Sequence, residues 1–343
     1  MNSIVLGSFF GDCEKGQCVN NLCLDSLNNG KKPLVVRFSG GHHCFSNFGS
    51  GTLLGVPTYW SEYCTVDPIT TIAEAKVLNS IGVSPKIVYS PFCLPFDVLH
   101  QWSDKENRKH GTVGTGFKAC LDRVKAGYSL TLADAKNPII LREKLRAILD
   151  NYYYFRVDNL PMLNLDKWVI AVSEFVSKIP LRHFVQIKSR FDDFIYEGSQ
   201  GILLDQRFGI MPYCTPSNTT CQNAMKFIGN EDVLHYYVCR PYITRHGNGP
   251  LCNLEPIIPV NDDNNQYNEF QQTMRASEFS VELLKHSVGI DSLFYNPHKW
   301  PNRILVFSHA DEVSNDLFNK VNELSLFGDI YGFEFEQKVN LRR

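Results

Sequence analysis

Short apolar runs that stop at glycines constrain this chain more than any other feature. Seven segments read as strands: Ser3 to Leu6, Leu34 to Phe38, Lys86 to Tyr89, His183 to Ile187, Asp193 to Glu197, Tyr236 to Arg240 and Arg303 to Phe307. Several show little alternation between apolar and polar residues, which is the pattern of strands covered on both faces. Helical patterns lie between them, at Ile72 to Ile81, Pro138 to Tyr152, Asp166 to Lys178, Phe279 to Val288 and Val313 to Leu326. Doubly covered strands that alternate with helices predict an α/β fold, a mostly parallel central sheet flanked by helices. The polar run Asp262-Asp263-Asn264-Asn265-Gln266 divides a core, residues 1–261, from a small C-terminal portion, 262–343, within what reads as one continuous domain.

Composition removes several function classes. The formal net charge is −2 and no basic block appears, so nucleic acid is not an expected partner. Runs such as Val169-Ile170-Ala171-Val172 are far too short to span a membrane, and no secretory signal opens the chain, so the cytoplasm is expected. Eleven cysteines in a chain without a signal predict reduced thiols. Cys13, Cys18 and Cys23 recur at intervals of five, which suits neither helix nor ligand geometry. His42-His43-Cys44, with Cys64 or Cys93, is a metal-like grouping, but no C-x-x-C accompanies it and ordinary thiols are the favoured reading.

The glycine turns carry the chemistry. Gly7-Ser8-Phe9-Phe10-Gly11-Asp12-Cys13-Glu14-Lys15-Gly16-Gln17 follows the first strand, and it has Asp12 and Cys13 where a phosphate loop of the form G-x-x-x-x-G-K-[ST] needs Gly and Lys. Ser39-Gly40-Gly41-His42-His43 follows the second strand, Glu197-Gly198-Ser199-Gln200-Gly201 the strand at 193–197, and His110 to Gly116 is a further turn of this kind. Glycines at strand ends let backbone approach phosphates, and several such turns at one edge of a parallel sheet suggest a nucleotide crevice.

The most specific block is Tyr196 to Thr220, YEGSQGILLDQRFGIMPYCTPSNTT. It resembles the EGAQG-x-LLD-x-x-x-G-x-x-PY-x-T-x-SNTT block of adenylosuccinate synthetases. The opening turn is similar to that family's GD-E-G-K-G-K loop, Arg37 to His42 to its R-[FY]-Q-G-G-[HN], and His110 to Gly114 to its GTTG turn. Thr244 to Pro250 resembles its TR-x-G-x-GP turn, and Ser308-His309-Ala310-Asp311 its guanine-reading T-K-x-D. The matches run in family order over roughly 300 residues, which chance motif matching does not produce.

The resemblance implies a P-loop-NTPase-like fold and a GTP- and Mg²⁺-dependent ligase that joins L-aspartate to a 6-oxopurine nucleotide, IMP favoured, through a 6-phosphoryl intermediate. By the same resemblance Asp12 is the general base and approaches Mg²⁺, and Lys15 neutralises charge on the phosphate. Gly11, Gly16, Gly40, Gly41, Thr112, Gln200, Thr215 and Asp311 would bind nucleotides, although Asp311 also suits the cap of a following helix. Asn268, Gln271 and Arg275 would take the aspartate. A homodimer is implied, with Arg123 or Lys125 of one subunit reaching the other's nucleotide.

Departures leave alternatives open. The family's second catalytic residue, a His five residues beyond the paired glycines, aligns with Ser46, so His43 or His42 is the available substitute. The arginine-rich aspartate loop is reduced to a single guanidinium, Arg275, in an N-x-x-Q-x-x-x-R arrangement similar to short viral and archaeal relatives, some of which act on a deoxyguanylate. A (d)GMP-using enzyme, a nucleotide-binding homologue that has lost synthesis, and a metal-dependent hydrolase built on His42, His43 and Cys44 are the other readings.

Overall fold

The computed structural model describes residues 1–40, 47–95, 97, 99, 115–154, 164–252, 257–258, 273–295, 302–334 and 337–340. The strands are β1 (Asn2–Gly7), β2 (Pro33–Arg37), β3 (Thr58–Trp60), β4 (Thr65–Val66), β5 (Ile87–Tyr89), β6 (Leu94–Pro95) and β7 (Asp193–Glu197). They continue with β8 (Val233–Cys239), β9 (Tyr242–Arg245), β10 (Ile257–Ile258), β11 (Arg275–Glu278), β12 (Asn302–Ser308), β13 (Asp329–Glu334) and β14 (Gln337–Asn340). Two compact units are present: Met1–Val35, His110–Thr112 and Phe191–Arg343 form the first, Val36–Lys109 and Val113–Arg190 the second. The chain passes from the first to the second within β2. The division expected at 261/262 falls in a stretch outside the described residues.

In the first unit, parallel strands run in the order β13-β12-β8-β1-β7, with β14 antiparallel on β13. Every residue of β1 and of β7 is buried, which explains why their sequences lack alternation. Helix α1 (Lys15–Asn28) packs on β1 and β7. Helices Gln222–Ile228, Val281–Ser292 and Asn315–Glu323 belong to the same unit. A small antiparallel sheet, β10-β11-β9, places Arg275 opposite Arg245. The second unit pairs β3 with β5 and β4 with β6, both in parallel. Its helices are α2 (Pro68–Ser80), Phe117–Lys125, Pro138–Ala147 and Leu165–Ser177. They close over Trp60, Tyr89, Leu141, Leu145, Tyr153 and Val172. Each such side chain removed from water contributes about 1.5–3 kcal/mol. The fold is therefore the expected α/β arrangement of mostly parallel strands and helices. Among the described residues no helix is long and apolar enough to cross a membrane.

Three expectations are corrected. His183 to Ile187 is not a strand: Phe184–Ile187 is a helical turn, held at its start by Gln186 Oε1, which accepts from His183 N–H at 3.0 Å. Helix α1 has no counterpart among the predicted helices, and it contains Cys18 and Cys23, whose five-residue spacing was read as non-helical. Their side chains are both buried, with Val19 between them. Arg123 does not point to a second subunit, because it is fully buried in the second unit, where its Nε lies 2.8 Å from Asp97 Oδ2. Lys125 is exposed.

Candidate nucleotide site

Neighbouring strands β12, β8, β1 and β7 end at Ser308, Cys239, Gly7 and Glu197, and the turns that follow gather at one carboxyl edge of the parallel sheet. Backbone strain concentrates in these turns. Of the non-glycine residues with positive φ, Asp12 (51°), Glu14 (57°), Gln200 (54°) and His309 (53°) all lie there. Each costs on the order of 1–3 kcal/mol and persists only where its surroundings over-determine it, which is typical of functional turns.

Two of the turns touch backbone to backbone. A Cβ on Gly201 would lie 2.1 Å from the Phe9 carbonyl oxygen and 2.5 Å from the Gly11 nitrogen, so only glycine fits between them. Leu203 N–H donates to Phe9 O at 3.0 Å, and Gly198 N–H to Val5 O at 2.9 Å. The opening turn is held from its other side by Arg240, whose Nε donates to Asp12 O at 2.7 Å, and by Thr244, whose hydroxyl donates to Gly11 O at 3.1 Å.

This clamp presents the Asp12 carboxylate, which is 31% exposed, with His246 Nδ1 3.5 Å from its Oδ2. Among the described residues His246 Nε2 is buried without a hydrogen-bond partner. Lys15 is the first residue of α1 and is buried, its Nζ 3.9 Å from Cys13 Sγ. Burial pushes the Cys13 thiol up, so it stays neutral beside the ammonium. The N-terminus of a 14-residue helix adds free N–H groups and the positive end of its dipole. A carboxylate, a desolvated cation and a helix N-terminus thus meet within four residues, where they can accept a proton and hold an anion.

The other predicted residues divide by location. Gln200 ends up in the strained turn against Gly11, with its Oε1 buried and, among the described residues, without a partner. Thr215 is buried, and its N–H donates to Leu204 O at 2.8 Å. That loop is organised by Asp205, whose two carboxylate oxygens accept from Arg207 N and Thr219 N, each at 2.8 Å. Asp311 is exposed in a single helical turn after β12 and does not cap the next helix; Ser314 does, its Oγ accepting from Leu317 N–H at 3.1 Å. Arg275 donates to Gly247 O at 2.6 Å and Gly249 O at 2.8 Å, holding the turn that carries His246. Burial and then Arg275 pull neighbouring Arg245 down to about 10. Gly16 is buried in α1, and Gly40 is buried against the Phe117 ring in the second unit. Gly41, His43, Thr112, Asn268 and Gln271 lie outside the described residues.

Sequence reasoning missed Arg240, Thr244, His246 and His309 as site residues. Thr244, His246 and His309 lay inside the quoted turns without a role assigned to them, and Arg240 had only its position just past a strand end as a signal. His309 Nε2 lies 2.8 Å from Glu14 Oε1, and Arg240 stands 3.8 Å from the same oxygen. Hydrogen bonding to Glu14 raises His309 above the ordinary histidine range. A raised folded-state pKa means that this stabilisation is complete below the unfolded value of about 6.5 and is lost as pH climbs through the folded one. Thermal denaturation should therefore show wild type ahead of Glu14→Gln at pH 6 and the gap narrowing towards pH 9.

The sequence profile of the adenylosuccinate synthetase family matches residues 4–275, well over half of the chain. The chain belongs to the adenylosuccinate synthetase family. It is a distant member: adenylosuccinate synthetase from Magnetococcus marinus is 28% identical over 334 residues, covering 85% of this chain and 75% of that one. The Neisseria meningitidis serogroup C enzyme is 27% identical over 285 residues, covering 73% and 64%. Among solved structures, fully ligated adenylosuccinate synthetase from Plasmodium falciparum shares the fold with a TM-score of 0.71 at 18% identity, over 92% of this chain and 78% of that one. The cyanophage S-2L succinoaminodeoxyadenylate synthetase, bound to dGMP and to dATP as an energy donor, gives a TM-score of 0.64 at 13% identity, over 96% and 91%.

Proposed function

We propose that this chain is a ligase that condenses L-aspartate with a 6-oxopurine nucleotide, IMP favoured, at the expense of GTP. The observation that carries the reading is the strained Asp12, 31% exposed and with its Oδ2 beside His246, in the turn that leads into Lys15. Asp12 Oδ1 accepts the purine N1 proton, which makes the 6-oxygen a nucleophile towards the γ-phosphate. Lys15, Gly16 and the N-terminus of α1 hold the phosphates. His246 Nε2, buried and unpartnered, is a donor for the charge that develops on the 6-oxygen or the phosphoryl group. The aspartate amino group then displaces phosphate from C6.

The residues suit Mg²⁺, because a partly exposed carboxylate is the kind of hard ligand this ion takes, and Oδ2 would meet it while Oδ1 faces the purine. Asp12 would hold the ion, which neutralises triphosphate charge when bound. Asp311 would read guanine through two N–H bonds, Gln200 and Thr215 would hold the acceptor nucleotide, and Arg275 would meet the aspartate carboxylate while fixing the His246 turn. A homodimer is part of this reading, with exposed Lys125 the remaining basic candidate on its helix.

A second reading, a (d)GMP acceptor, is supported by the fold this chain shares with the dGMP-bound cyanophage enzyme. Asp12 argues for IMP, since a carboxylate facing N1 leaves less accommodation for a neighbouring 2-amino group. The test is phosphate release from GTP with Mg²⁺, comparing IMP with dGMP, each with and without aspartate. Release that needs both aspartate and a purine nucleotide supports the ligase. Nucleotide binding with no release under any combination replaces it with a non-catalytic homologue.

A further inference from the structure

Directly after the Asn218-Thr219-Thr220 loop, three ligand-type side chains meet in the interior of the first unit. They are Cys221 ahead of helix Gln222–Ile228, His235 on β8 and Asp291 near the end of helix Val281–Ser292. All three residues are fully buried, and their ligand atoms lie within 4.8 Å of one another. Asp291 Oδ1 accepts from Cys221 N–H at 2.6 Å, and Oδ2 accepts from the Tyr237 hydroxyl at 2.8 Å. Cys221 Sγ is 3.6 Å from Asp291 O, and His235 Nδ1 is 3.8 Å from Asp291 Oδ2. Among the described residues neither nitrogen of His235 has a hydrogen-bond partner. The Tyr295 ring covers His235 at 4.4 Å between centroids, and its hydroxyl hydrogen-bonds the Tyr237 hydroxyl.

A buried imidazole with both nitrogens unpaired is costly, and so is a buried carboxylate faced by neutral donors. We propose that Cys221, His235 and Asp291 bind a zinc ion, or a borderline-soft divalent cation equivalent to it, with the Tyr237 oxygen as fourth donor. Sulfur, nitrogen and oxygen together are a zinc-type set. Bond lengths of about 2.3 Å to sulfur and about 2.0 Å to nitrogen or oxygen give ligand separations of about 3.5 Å, so the trio closes by small side-chain rotations. On binding, the Cys221 thiol releases its proton to solvent, and thiolate and carboxylate together neutralise the ion. Each Asp291 oxygen keeps a second lone pair, so its hydrogen bonds survive.

All three ligand residues are fully buried, which suits a structural site: it ties the Thr215–Thr220 loop and the helix after it to β8 and to helix Val281–Ser292. It does not depend on the ligase reading. The test is metal analysis of the full chain purified without chelator, followed by chelation and cobalt(II) titration. About one equivalent of zinc is expected, and the cobalt form should show a thiolate charge-transfer band that disappears in Cys221→Ser. His235→Ala should weaken cobalt binding at least about tenfold, and Cys44→Ala should leave both stoichiometry and band unchanged. No bound zinc together with no cobalt band in the stripped wild type overturns the proposal, whichever variants fold. Unchanged metal content and band in folded Cys221→Ser and His235→Ala overturn it as well.

Discussion

Asp12→Asn should lower turnover by about 10²–10⁴-fold while nucleotide binding survives. The substitution keeps the shape of the side chain and its place beside His246, and the Arg240 and Thr244 clamps act on the carbonyls of Asp12 and Gly11, which it leaves alone. What disappears is the proton acceptor. Lys15→Ala separates the roles, because a charge that meets the phosphates in ground state and transition state alike should raise KM more than it lowers kcat. His246→Gln, which retains an N–H donor, should keep more turnover than His246→Ala. An exposed turn with no chemistry would give changes within about 0.5 kcal/mol for the Asp12 and Lys15 variants. Turnover together with nucleotide affinity for the three positions distinguishes these outcomes.

Asp97→Ala should destabilise the second unit by about 3–5 kcal/mol, the usual cost of leaving a buried charge unpaired. Arg123 and Asp97 have side chains only 0% and 1% exposed. The rest of the cluster is fully engaged: Asp97 also accepts from Leu99 N–H at 2.7 Å and from the Tyr153 hydroxyl at 3.0 Å. Arg123 also donates to Tyr128 O at 2.6 Å and Pro95 O at 3.1 Å. Replacing both charges, as Asp97→Leu with Arg123→Met, should recover much of the loss, since desolvation then falls away together with attraction. Thermal denaturation of the single and double variants checks this. A double variant no better than Asp97→Ala would assign the effect to the backbone hydrogen bonds instead.

The same pair shows where sequence stops being legible. In Asp122-Arg123-Val124-Lys125 the arginine reads as one charge in a solvated run; its burial depends on Asp97, 26 residues upstream, which no local pattern connects to it. Strands β1, β7 and β12 were readable because burial on both faces leaves a short uninterrupted apolar run in each, Ile4 to Leu6, Phe194 to Tyr196 and Ile304 to Phe307. Helix α1 was not, because its buried side is built from Cys18, Val19, Cys23 and Ser26 while Leu24 and Leu27 are exposed, so the obvious aliphatics mark the wrong face. At the site, the glycines, Asp12 and Lys15 were visible as one turn. His246 and Arg240 were not, since their parts come from a tertiary approach to Asp12 made by residues more than 200 positions away. Motif order revealed the family, but physical periodicity alone would have ended at a parallel sheet with glycine turns.

The central claim is that Asp12 turns the purine 6-oxygen into a nucleophile. Supplying IMP labelled with heavy oxygen at position 6, with GTP, Mg²⁺ and L-aspartate, tests it directly by mass spectrometry of both products. A succinylated aminopurine nucleotide without the label and inorganic phosphate that carries it are expected, with neither formed by Asp12→Asn at a comparable rate. Unlabelled phosphate, or no succinylated product from IMP or dGMP while nucleotide binds, would contradict it.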